Sequence, residues 1–133
     1  MLALMREQLA AIIAHARAEA PNECCGLLVG RGDVVAQVWP MTNADHSPTS
    51  FRIDPLDLLR GFEAMDTAGA DLVAIYHSHP HSPAQMSETD LKYAPGYPDA
   101  RHVIVSLASP LEPEVCAYRV SAGVACAEEV LLR

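Results

Sequence analysis

Apolar residues in the first twenty positions recur at helical spacing. Met5, Leu9, Ile12 or Ile13 and Ala16 share one face and Pro21 stops the pattern, so the spacing predicts an amphipathic helix over residues 2–19. The period then shortens. Two apolar runs, Gly26–Gly30 and Val34–Trp39, flank the glycine-containing turn Arg31-Gly32-Asp33 and read as paired strands. Residues 40–50, rich in Pro, Thr, Asn, Asp and Ser, read as a loop, and Phe51-Arg52-Ile53 alternates like a brief strand. Asp54-Pro55 opens a second helix, because the Asp carboxylate can accept free backbone N–H groups and proline gives up one that would be unpaired there. Leu58, Leu59, Phe62 and Met65 are its expected buried stripe, and Gly69 its C-terminal cap. Leu72–Tyr76 is an apolar run of strand length. Residues 88–94 suit one or two helical turns, ended by Pro95-Gly96-Tyr97-Pro98, and Val103–Leu107, Val115–Val120 and Val124–Leu132 read as three later strands. This order predicts a mixed α/β sandwich built around one sheet.

At 133 residues, half of them hydrophobic, the chain is expected to form a single domain over 1–133 with its own core. The formal net charge of -8 argues against a nucleic-acid partner, since phosphate binding needs a basic face. The N-terminus, with Arg6 and Glu7 in an amphipathic pattern, does not resemble a signal peptide. No apolar run approaches the roughly 20 residues that span a bilayer, and a cytoplasmic location is the expectation. Cys24, Cys25, Cys116 and Cys126 form no C-x-x-C pair and read as free thiols acting as small hydrophobes.

The chemistry concentrates in His77-Ser78-His79-Pro80, followed by Ser87 and Asp90. Residues i and i+2 of an extended chain point to one face, so His77 and His79, directly after the Leu72–Tyr76 strand, present their imidazoles together. Two histidines and a carboxylate give zinc three protein ligands and leave a position open, the pattern of catalytic rather than structural zinc. Ser87 and Asp90 also fit a capping box, and a helix opening at Ser87 would hold Asp90 in its first turn in a fixed direction. A hydrolase of this kind needs a general base, for which Glu88 and Glu23 are both candidates by position.

The spacing His77-x-His79, seven residues, Ser87, two residues, Asp90 resembles the JAMM signature of the MPN+ zinc metalloproteases, in their small bacterial stand-alone form. Glu23, just ahead of Gly26-Leu27-Leu28-Val29-Gly30, resembles the family's catalytic glutamate, and the likeness continues through Phe51-Arg52-Ile53-Asp54-Pro55 and Gly96-Tyr97-Pro98-Asp99. The resemblance implies a cytidine-deaminase-like α/β sandwich, its mixed, mainly antiparallel sheet flanked by helices. It implies Zn2+ held by His77, His79 and Asp90, Glu23 as general base and Ser87 as hydrogen-bond donor to an oxyanion. The implied activity is hydrolysis of the amide bond after the C-terminal Gly-Gly of a ubiquitin-like or sulfur-carrier protein, that tail being the expected partner. Neither nucleic acid nor membrane is expected, and a homodimer is allowed. The competing readings are a non-catalytic MPN scaffold and a zinc hydrolase of another small peptide; a deaminase is disfavoured because no P-C-x-x-C segment is present. Of the residues nearby, His81 reads as a solvated loop histidine and Arg52 as either a substrate-carboxylate contact or a surface ion pair. His15 and His46 read as surface residues and Trp39 as core or rim packing. A thiol-protease reading of Cys25 with His79 leaves His77, Ser87 and Asp90 without a purpose.

Overall fold

A computed structural model describes residues 1–133. Its strands are β1 (Leu2–Leu4), β2 (Cys25–Arg31), β3 (Val34–Met41), β4 (Asp71–His79), β5 (Arg101–Ser106), β6 (Glu114–Ser121), β7 (Val124–Glu128) and β8 (Val130–Leu132). Its helices are α1 (Arg6–Glu19), α2 (Pro55–Ala68) and α3 (Glu88–Tyr93). All eight strands form one sheet in the order β7-β6-β5-β4-β2-β3-β1-β8. β4 and β5 pair in parallel, as does β1 with both β3 and β8, whereas the hairpins β2–β3, β5–β6 and β6–β7 are antiparallel.

The two edge strands, β7 and β8, are separated along the chain by Glu129 alone. The step from Glu128 to Val130 spans at most about 7 Å, so the two edges must meet and the sheet must curl into a nearly closed barrel. The cytidine-deaminase-like sandwich is therefore wrong. Charged groups stitch the seam. Arg101 is nearly fully buried and reaches Glu128 at 2.8 Å and Asp33, while Arg119 reaches the other Glu128 oxygen at 3.3 Å.

Alternation along β2 divides the core. Leu28 joins Tyr76, Val103, Val105, Leu2, Leu4 and the α1 residues Ile12 and Ala16 on one face, while Cys25, Leu27 and Val29 join Ile75, Ile53 and Met65 of α2 on the other. The first face draws on six strands, so α1 packs against the barrel wall, while α2 covers β2, β4 and the end of β3 at Met41.

Four local expectations change. The predicted 2–19 helix begins at Arg6, because Leu2–Leu4 pairs with Val34 and with Val130–Leu132, long-range partners that a local period cannot reveal. The predicted 124–132 strand breaks at Glu129 to cross the seam. Phe51–Ile53 makes only an isolated bridge from Ile53 to Asn43. In α2, Met65 is buried but Leu59 and Phe62 are 55% and 40% exposed, and Gly61 occupies the inner face against Leu27 and Met41. The α2 ends are as expected. Asp54 accepts the Asp57 N–H, and Gly69 adopts the left-handed φ of 62° that an L side chain resists.

Candidate metal centre

β4 runs on through the histidines to His79, so both imidazoles sit on a strand, on the face shared with Ile75 and Cys25. Cys25 pairs with His77 across the antiparallel β2–β4 ladder, which sets Glu23, two residues earlier, beside His79 on the same face. The backbone around Glu23 is tied on every side. Its N–H donates to Ser47 O at 2.9 Å, its carbonyl accepts from Asn43 Nδ2 at 3.1 Å, and Cys24 N–H donates to Ser78 Oγ at 2.8 Å. Ser78, between the two histidines, thus fixes the segment just ahead of β2 that carries the glutamate.

The carboxylate arrives from α3. Ser87 caps that helix, its Oγ accepting the Asp90 N–H at 3.0 Å while its own N–H donates to Asp90 Oδ2 at 3.0 Å. The cap aims Asp90 at the histidines. Asp90 Oδ2 lies 3.2 Å from His77 Nε2 and 3.1 Å from His79 Nε2, and the two Nε2 atoms are 3.2 Å apart. Nitrogen and oxygen ligands at about 2.0–2.1 Å around a tetrahedral ion stand about 3.3 Å apart, so the triangle has the dimensions of a zinc face. His79 Nδ1 donates to Pro83 O at 2.8 Å, which leaves the Nε2 lone pair turned into the triangle. Lone pairs that converge without donors repel one another, and a cation or a proton among them relieves that. The donor chemistry therefore fits zinc, and it does so at atoms buried from water.

Glu23, His77 and His79 also have donor atoms within 4.8 Å of one another. The tighter triangle is the one closed by Asp90, which leaves Glu23 beside the centre. Glu23 Oε1 is buried with no hydrogen-bond partner, as is His77 Nδ1. Burial, countered in part by His79 and reinforced by Asp90, pushes the Glu23 carboxyl up to about 8. Burial likewise favours neutral His77, the form that ligates a metal. At His79 burial works the same way, but the Asp90 carboxylate and the Pro83 carbonyl on either side of its ring hold its pKa above the ordinary value. Asp90 is buried too, yet the two imidazoles against it and the Ser87 N–H hold its carboxyl far below the usual range.

The other candidates separate clearly. His81 and His46 are exposed, and Arg52 pairs with Asp45 at 3.4 Å on the surface. Trp39 packs at the rim of the second core cluster. His15 is a correction: it is half-buried, its Nδ1 2.7 Å from the hydroxyl of fully buried Tyr76. Burial pushes the Cys24 and Cys25 thiols up to about 11 and 12, so neither is a nucleophile at neutral pH. Sequence reasoning missed Phe51, which stacks on His77 with ring centroids 4.4 Å apart. It also missed His102, buried on the same face of β5 and pulled down to about 4 by burial and by His77. Neither stands at a recognisable motif spacing, although parity along β5 sets His102 with the metal face once the register is known.

Comparison with known proteins identifies the family and the fold. Residues 5–120 match the family described as prokaryotic homologs of the JAB domain. The chain is 39% identical over 132 residues to the CysO-cysteine peptidase of Mycobacterium tuberculosis, covering 98% of this chain and 90% of that one. Among solved structures, it is similar to protein DSY2949 from Desulfitobacterium hafniense, with a TM-score of 0.91, 36% identity and coverage of 100% of this chain and 93% of that one. AF2198, a JAB1/MPN domain protein from Archaeoglobus fulgidus, shares the fold at a TM-score of 0.67 and 22% identity, covering 99% and 98%. These neighbours place the curled sheet with the JAB/MPN fold.

Proposed function

The chain belongs to the family of prokaryotic homologs of the JAB domain and is a zinc metallopeptidase of the JAMM type, and from that premise we propose that it hydrolyses the amide bond after a C-terminal Gly-Gly of a ubiquitin-like or sulfur-carrier protein. The observation that carries this reading is the triangle of His77 Nε2, His79 Nε2 and Asp90 Oδ2 with the unpartnered Glu23 carboxylate beside it. In this reading residues 1–133 act as one catalytic domain, and His77, His79 and Asp90 hold the ion. Bound zinc supplies Lewis-acid polarisation and makes water acidic enough to be a nucleophile near neutral pH.

The side chains around it do the rest. Glu23 Oε1 takes the proton of the attacking water and returns it to the leaving nitrogen, a transfer best served by a carboxyl whose pKa lies near the working pH. Ser87 Oγ already accepts the Asp90 N–H, so its own proton is free to donate to the oxyanion that forms on the substrate carbonyl. The Pro83 carbonyl keeps the His79 proton on Nδ1 throughout. A glycine pair at the cleaved end suits so enclosed a site, because backbone without Cβ can approach closely. The relative named as a CysO-cysteine peptidase supports a single amino acid as the leaving group.

No helix is long and apolar enough to cross a membrane. The test is a purified, zinc-loaded chain incubated with a small ubiquitin-like carrier ending in Gly-Gly-X, followed by mass spectrometry. Release of X that stops on chelation and returns with added zinc supports the reading, and an intact carrier under all conditions sinks it.

A further inference from the structure

The loop between β4 and α3 is gripped at three consecutive carbonyls, each by a side chain from a different strand. Ser106 Oγ of β5 donates to Ser82 O at 2.6 Å, His79 Nδ1 of β4 donates to Pro83 O at 2.8 Å, and the Tyr118 hydroxyl of β6 donates to Ala84 O at 2.5 Å. The sheet register explains how three strands reach one loop. His79 lies opposite Ser106, Ser106 opposite Glu114, and His102 opposite Tyr118, so by alternation all three donors stand on the metal face of three neighbouring strands. Ser82 and Pro83 are themselves exposed, with only the Ala84 methyl buried beneath them, so packing alone does little to hold this turn.

The middle carbonyl is the one that faces a metal ligand. Peptide planarity leaves each residue two soft torsions, and the proline ring removes one of them at Pro83. With the Ser82 and Ala84 carbonyls pinned, little freedom remains for the Pro83 carbonyl, and it stays directed at His79 Nδ1. That hydrogen bond selects the tautomer whose Nε2 lone pair points at Asp90 and His77. The same loop ends at Ser87, which aims Asp90, so a shift of the loop would disturb two corners of the triangle together.

We propose that Tyr118 and Ser106, neither of which reaches the centre itself, are positioning residues that set the tautomer and direction of His79 through this triple carbonyl clamp. The inference rests on the zinc reading above. Its test is the pair of variants Tyr118→Phe and Ser106→Ala, each deleting one hydroxyl with little change of volume. Zinc affinity is measured by competition with a chromophoric chelator, and the His79 tautomer of the metal-free protein by long-range 1H–15N NMR. The wild type should show His79 protonated at Nδ1. Each variant should show a mixture of tautomers and bind zinc about ten-fold more weakly, the lower end of what is lost when a partner behind a metal ligand is removed. Metal-free melting temperature controls for general loosening. If the wild type binds zinc and both variants keep its tautomer and bind zinc within about two-fold of the wild type, well short of the ten-fold loss, this inference falls alone, whatever the melting temperatures do. If the wild type binds no zinc, the metal reading falls and this inference with it.

Discussion

Arg101 opens β5 and His79 closes β4, and because the two strands are parallel neighbours the charged clusters around them lie at opposite ends of the sheet. At the seam end, Arg101 meets Glu128 and Asp33, further guanidinium contacts reach the Gly32 and Met1 carbonyls, and Arg119 takes the second Glu128 oxygen. Every buried side-chain nitrogen and oxygen there has a partner. At the histidine end, Glu23 Oε1 and His77 Nδ1 have none, and three lone-pair atoms converge on one point. Buried polar groups are nearly always paired, so an unpaired set marks a place kept for something other than stability. One cluster holds the barrel shut; the other is left incomplete so that it can bind and react.

The comparison breaks most visibly at the seam. Removing the buried Arg101 leaves Glu128, itself largely buried, with only Arg119 and the N-terminal amine, which sets the cost at about 3 kcal/mol, the lower end for breaking a buried pair. Arg101→Ala should lose an amount of that order in denaturant unfolding while its zinc content stays at the wild-type level. A loss below about 1 kcal/mol would show that the seam is no more than a surface pairing.

The histidine end should respond in the opposite sense. The Glu23 carboxyl is raised in the folded protein from an ordinary value of 4.5 to about 8. Its neutral form is the favoured one, so its contribution to stability is complete below the unfolded pKa and is lost as pH rises through the folded one. Metal-free Glu23→Gln should therefore match the wild type near about pH 4 and exceed it increasingly up to about pH 8, with a constant gap above that. Thermal melts across that range check it, and a pH-independent gap would contradict it. The variant would gain stability at the position where it loses function.

The smallest effect is expected at Arg52, whose ion pair with Asp45 is on the surface. Arg52→Ala should change stability by less than about 0.5 kcal/mol and leave KM for a carrier tail unchanged. A rise in KM would return Arg52 to the substrate.

What could be read without coordinates follows the same division. The convergence of His77, His79 and Asp90 was legible because a strand brings i and i+2 together and a capping box points its acid, two short-range rules that His77, His79, Ser87 and Asp90 obey. The α2 ends were legible for the same reason, at Asp54 and Gly69. The fold's closure was not, because it depends on Leu2–Leu4 finding Val34 and Val130–Leu132, and on Glu129 crossing between edges that no local pattern marks. Glu23 could be joined to the histidines only through a family likeness, since the pairing of Cys25 with His77 that sets it there spans more than fifty positions of chain. Leu59 and Phe62 misled because apolar residues on a helix need not face inward when a glycine, Gly61, offers closer packing.

The central claim is that His77, His79 and Asp90 bind the ion while Glu23 works beside it. Zinc content and carrier-tail cleavage, measured together on Glu23→Gln and Asp90→Asn, test this most directly. Glu23→Gln should retain about one zinc per chain and lose turnover by roughly 10²–10⁴-fold, the range for a missing general base, while Asp90→Asn loses zinc and turnover alike. Wild-type turnover by Glu23→Gln, or full zinc occupancy in an active Asp90→Asn, would contradict the account.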